Sequence, residues 1–203
     1  MTQRVRLVLI GAFACLFAGF VGLWFAAYQS AGESNLRPDP SAGFSGAVRP
    51  PEARVPAFRL RDQDGEVVTQ ASTRGQTAVY VFLYSHCEDT CPLQVQQVRG
   101  AMDDLGRDVP VIGISVDPAN DTARSARTFL LEQHMTGRMR FALGTAEELR
   151  PVWQAFGVAP QRDGKEHSAS VVVVDGEGRQ RIGYRPSYLT VDGLAADLQR
   201  LGA

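Results

Sequence analysis

Two hydrophobic patterns divide the chain. Leu7 to Tyr28 runs without a charged residue, behind Arg4 and Arg6. That length meets the ~20 apolar residues that a membrane-spanning helix needs. The arginines ahead of it predict a cytoplasmic N-terminus and a domain on the far side, with Trp24 and Tyr28 at the outer interface. A cleaved signal peptide is the competing reading. Its apolar region is ordinarily ~7–15 residues long and ends in small residues, and no clear Ala-x-Ala site follows this run. Gln29 to Pro51, rich in Ser, Gly, Ala and Pro, predicts a flexible tether.

From Phe58 the apolar positions take the spacing of a globular domain. Phe58 and Leu60, then Val67 and Val68, flank Asp62-Gln63-Asp64-Gly65, a hairpin signal. Val79 to Tyr84 is wholly apolar or aromatic, as a central strand covered on both faces requires. Val95, Val98, Met102 and Leu105 recur at helical spacing before Gly106. Val109 to Val116 predicts a second buried strand, and Asp117 to Thr122 a turn, with Asp121 as N-cap of a helix burying Ala126, Phe129 and Leu130. Arg140 to Leu143 predicts a short strand. Thr145 to Glu148 is a capping box opening a helix that buries Leu149, Val152, Trp153 and Phe156, with Pro151 kinking or restarting it. A polar loop from Pro160 leads to His167. Val171 to Val174 and Arg179 to Tyr184 form a strand hairpin, and Thr190 to Leu201 a closing helix.

That order is α/β and thioredoxin-like, with an extra strand–helix insert before the late hairpin. The chain divides into a cytoplasmic N-terminus (1–6), one N-terminal transmembrane helix (7–28), a tether (29–51) and a thioredoxin-like domain (52–203). Its 203 residues suit one anchor and one domain with a sizeable core. A net charge of −1 excludes the basic field that nucleic-acid binding needs.

The chain holds three cysteines. Cys15 lies in the apolar run, where it serves as a small apolar residue; bulky Phe13 ahead of it argues against lipid attachment. Cys87 and Cys91 form a close pair just past the first central strand, where sites in open α/β sheets collect. A close thiol pair serves redox chemistry, a soft metal, or both. Pro92 suits a first helical turn, placing Cys91 at a helix start whose N–H groups and dipole favour thiolate. His86 adds to that when protonated, and Glu88 and Asp89 oppose it. The bland reading, two inert packed thiols, fits poorly in a polar acidic loop.

The segment entering the late hairpin faces the cysteine loop in this order of elements. Thiol oxidoreductases carry a cis-proline there; this chain has Glu166-His167-Ser168. A lone histidine is usually solvated or satisfied in a core. Here the topology offers its imidazole to the two sulfurs, a mixed ligand set suited to copper. Zinc, held by two cysteines, a histidine and water, stays open. Asp117, Asp121 and Thr122 are equally served as plain turn and cap residues, and His134 suits a helix end.

Taken together, these features resemble the Sco (SenC) family, the copper-assembly proteins of cytochrome c oxidase. The resemblance runs from Ala57 to Leu201. It rests on Asp62-Gln63-Asp64-Gly65, on Phe82 to Tyr84 running into Cys87-Glu88-Asp89-Thr90-Cys91-Pro92, on Val116 to Thr122, and on His167-Ser168 before the valine strand. It implies that Cys87, Cys91 and His167 bind one copper ion, Cu(I) or Cu(II). It implies a membrane-anchored chaperone with its domain outside the membrane. Its partners would be the copper-bearing oxidase subunit, a copper donor protein and a thiol reductant. Glu88 stands where the family often has proline, and Glu166 where it often has aspartate; both changes leave the donors in place. The rival readings are a thiol-disulfide reductase acting on the oxidase cysteines without a metal, and a peroxidase. Tyr80 and Tyr84 speak against the peroxidase, since they stand where peroxiredoxin relatives carry Pro and Thr.

Overall fold

A computed structural model of the chain describes Phe13, Phe17, Pro38, residues 42–161 and residues 170–203. The chain divides into two compact units, Met1–Arg37 and Pro38–Ala203. In the first, Phe13 and Phe17 are helical and one turn apart, with ring centroids 6.5 Å from each other. Cys15 and the rest of the 7–28 stretch lie outside the described residues. Among the described residues no helix is long and apolar enough to cross a membrane.

The second unit is built on a six-stranded sheet. Its strands are β1 (Ala47–Val48), β4 (Ala78–Leu83), β5 (Val111–Ser115), β6 (Met139–Ala142), β7 (Ser170–Val174) and β8 (Gln180–Tyr184), in the order β1-β8-β7-β4-β5-β6. β4, β5 and β6 are parallel; β7, β8 and β1 each run antiparallel to their neighbours. A separate hairpin pairs β2 (Arg59–Arg61) with β3 (Val67–Thr69). Four helices cover the faces: α1 (Thr90–Leu105), α2 (Ala123–Glu132), α3 (Ala146–Phe156) and α4 (Val191–Arg200). This is the expected thioredoxin-like order, and β6–α3 is the predicted insert.

The side-chain alternation of β4 explains its unbroken apolar run. Val79, Val81 and Leu83 enter the core that includes Val95, Met102, Phe129 and Leu194. Tyr80 and Phe82 enter the opposite core with Leu149, Trp153 and Phe156. A strand buried on both faces leaves no polar position to spare.

Three expectations change. Asp121 is not the N-cap of α2: Thr122 is, in a reciprocal box with Ser125, which leaves the Asp121 carboxylate to bonds described below. α3 runs through Pro151 as one helix. An internal proline costs about 3 kcal/mol, whereas burying Leu149, Val152, Trp153 and Phe156 contributes about 1.5–3 kcal/mol each, so packing wins. Finally, Ala47 and Val48 lie in the stretch read as tether, yet they pair with Gly183 and Ile182 of β8.

A buried acid fixes that first strand. Asp197 of α4 is 0% exposed. It accepts the N–H of Ser45 at 3.0 Å, the N–H of Gly46 at 3.1 Å and the hydroxyl of Tyr184 at 2.5 Å. Gly46 is required here, because a Cβ would come within 2.4 Å of Ile182 Cγ2. At the other end of the sheet the β2–β3 loop is fastened to β6. Arg140 Nε meets Asp62 Oδ2 at 2.7 Å, and Phe141 N–H donates to Gln63 Oε1 at 2.8 Å.

Candidate metal centre

β4 ends at Leu83, and α1 begins at Thr90, with six residues between them. The intervening loop carries Cys87, and the first turn of α1 carries Cys91. Both are thiols rather than a disulfide. Cys87 N–H donates to the Tyr84 carbonyl at 3.3 Å, which curls the loop back over the helix start. Asp89, at the N-cap position, makes no side-chain cap bond. The Cys87 sulfur takes that place and accepts the Cys91 N–H at 3.3 Å. A sulfur that serves as helix-capping acceptor is held where negative charge is favoured.

The two thiols are therefore unlike. The Cys91 side chain donates to the Cys87 sulfur, and the backbone N–H groups of Cys91 and Asp89 and the Tyr84 hydroxyl add to this. Against the opposing effect of burial, they lower Cys87 to about 5. The same side-chain bond, together with burial, pushes Cys91 up. Near neutral pH the pair holds one proton, on Cys91. Burial first, and then the bond to Cys87, push Tyr84 up to about 12, so its hydroxyl stays a donor.

In the reduced, metal-free protein, alkylation at Cys87 should titrate with a midpoint near pH 5, while Cys91 stays unreactive at neutral pH. Mass mapping of iodoacetamide adducts against pH checks this. A midpoint near 9.0, the ordinary value of the thiol, would remove the asymmetry. The same shift makes the metal-free fold gain stability as pH rises from about 5 towards 9.0, the ordinary value of the thiol, since there the unfolded chain binds the extra proton.

Residues ahead of Cys87 are tied to the turn after β5. Ser85 donates to Asp121 Oδ1 through its N–H at 2.7 Å and its hydroxyl at 2.6 Å. The His86 ring Nε2 lies 3.1 Å from the Asn120 carbonyl, so it faces the turn. On α1, one turn past Cys91, Gln94 is 2% exposed, and among the described residues neither of its amide atoms has a hydrogen-bond partner.

Cys87 and Cys91 thus come together as the spacing predicts. His167 and Glu166 lie outside the described residues. Among the described residues no three His, Cys, Asp or Glu side chains gather as a metal-holding group. Sequence reasoning missed the Tyr84 hydroxyl, Ser85 and Ser115. The signal for Tyr84 was its place three residues before a reactive cysteine, and for the serines a pairing with Asp121 across two loops. The donor chemistry nonetheless fits a soft ion: one thiolate is formed already, and the second sulfur lies against it.

The SCO1/SenC family model matches residues 47–202. A curated relative, the mitochondrial Protein SCO1 homolog 1 of Arabidopsis thaliana, is 29% identical over 141 residues, 68% of this chain; the chain spans 40% of that relative's length. The structure of Bradyrhizobium japonicum ScoI with copper bound is 29% identical, with a TM-score of 0.59 over 73% of this chain and 99% of that one. BsSco is a member of the Sco family of cytochrome c oxidase assembly proteins in which a disulfide switch was identified. It shares the fold at 22% identity, with a TM-score of 0.66 over 77% of this chain and 98% of that one.

Proposed function

Because the chain belongs to the SCO1/SenC family, we propose that it is a membrane-anchored copper chaperone. Cys87, Cys91 and His167 hold one copper ion for the dinuclear copper site of a cytochrome c oxidase subunit. Leu7 to Tyr28 anchors it, the N-terminus is cytoplasmic, and the domain after the tether works on the opposite side. The observation that carries this reading is the thiolate–thiol pair at the end of the central strand. Copper is cargo here. It displaces the Cys91 proton on binding, and exchange of the dithiol with an external disulfide, which leaves as two thiols, would tie both sulfurs together and remove two of the three protein donors. Titration of the reduced chain with copper, and separately with zinc in competition, tests the assignment. One copper per chain, not displaced by equimolar zinc, is the expected result; preferential retention of zinc would replace copper in the reading.

A second reading, thiol-disulfide exchange on the acceptor's cysteines, is favoured by the same asymmetry. A lowered thiol beside a raised one suits a nucleophile and its resolving partner. Trapping of a mixed disulfide through Cys87 in a Cys91→Ala variant would support it.

A further inference from the structure

The end of β5 is a junction for everything around the dithiol. Val116 N–H donates to the Leu83 carbonyl at 3.0 Å, and the Val116 carbonyl accepts the Gln161 N–H at 2.8 Å. The Ser115 carbonyl accepts Trp153 Nε1–H of α3 at 2.9 Å. The Ser115 hydroxyl donates to Asp121 Oδ2 at 2.5 Å, while Asp121 Oδ1 holds both the N–H and the hydroxyl of Ser85. Ser85 Oγ also lies 2.7 Å from Ser125 Oγ at the start of α2. Asp121 has no part in capping α2, which Thr122 does. A largely desolvated carboxylate is costly unless its oxygens are satisfied, and among the described residues the bonds this one makes join β5 to the loop two residues before Cys87. His86, the next residue, is held by the neighbouring Asn120 carbonyl.

We propose that Asp121 is a positioning residue for the dithiol. It fastens Ser85, and through Ser85 the Tyr84–Cys87 turn, to β5, so that the Cys87 sulfur stays over the Cys91 N–H at the start of α1. Without it the turn is free to lift, and the sulfur leaves its helix-capping position. This deepens the proposed function and rests on that reading only for the copper readout. The dithiol readout stands without it.

The test compares Asp121→Ala, Asp121→Asn and Ser85→Ala in the full chain. The metal-free readout is equilibrium with glutathione: the protein dithiol and glutathione disulfide give the protein disulfide and two glutathione thiols. Asp121→Ala and Ser85→Ala should shift that constant several-fold. Asp121→Asn, which keeps an oxygen for Ser85, should stay close to wild type. With copper, the alanine variants should bind about tenfold more weakly and move the thiolate-to-Cu(II) absorption band, and the asparagine variant should restore both. Alanine variants that fold normally with constant, affinity and band unchanged overturn the proposal. So does equal loss in the alanine and asparagine variants, which would trace the effect to charge. Should Asp121→Ala fail to fold, Ser85→Ala decides, since it removes only a hydroxyl. Wild-type chain that takes up no copper, while the glutathione constant still moves in the variants, sinks the chaperone reading and leaves the positioning role standing.

Discussion

Serine in place of Cys87 should abolish stoichiometric copper uptake by the reduced chain. Cys87 supplies a sulfur that is already charged near neutral pH, held over a helix start by the Cys91 N–H at 3.3 Å. A serine hydroxyl there is neutral and hard, and a soft ion gains little from it. Cys91→Ser has the same outcome by another route. The Cys91 sulfur lies in the core at 0% exposure and is protonated until the ion displaces its proton. On the proposed ligand set, copper binding should therefore release a proton, and affinity should weaken on acidification as both sulfurs and the imidazole compete for protons. His167→Ala should weaken Cu(II) more than Cu(I), because the softer ion leans on the sulfurs. Titration against a chromophoric chelator measures all three variants. One copper per chain retained in either serine variant would take the dithiol out of the site, and an unchanged Cu(II) spectrum in His167→Ala would take out the imidazole.

The largest stability effect lies away from the thiols. Asp197→Ala removes the shared acceptor of the Ser45 N–H, the Gly46 N–H and the Tyr184 hydroxyl. Removing this buried acceptor strands its donors, which cost about 1–3 kcal/mol each when left unsatisfied, and about 3–5 kcal/mol in all here, where Ser45 is only half-buried. For a domain of this size that corresponds to a melting temperature lower by roughly 6–20 °C. Asp197→Asn keeps one oxygen and should cost less, about 1–2 kcal/mol. Urea unfolding of the metal-free reduced chain reads both. A loss under 1 kcal/mol for the alanine variant would mean that the 45–46 segment detaches without consequence for the rest. β1 pairs with β8 through two residues, and just past it the Arg49 N–H donates to the Arg181 carbonyl at 2.9 Å, so the carboxylate shares the holding of this segment with the ladder.

Elements fixed by local pattern were legible in the sequence. β4 and β7 announce themselves as apolar runs, because a strand covered on both faces has no alternative composition. The Thr145–Glu148 box marks the start of α3, because its two bonds close within four residues. The Cys87–Cys91 spacing likewise put both sulfurs at one helix start. What escaped was set by long-range partners. Ala47 and Val48 carry no periodicity in two residues; β8 makes them a strand. Asp197 on an amphipathic helix looks like a solvent-facing charge until Ser45, 152 residues earlier, is seen donating to it. Asp121 and Thr122 are both good caps by type, and only the geometry of Ser85 and Ser115 divides their roles.

The dithiol is graded in depth: Cys91 has no exposed surface, and Cys87 keeps 6%. On the proposed chaperone role, handover should therefore begin at Cys87, with Cys91 the last to let go, and a partner offering two ligands at once should gain nothing from the second until the first has taken hold.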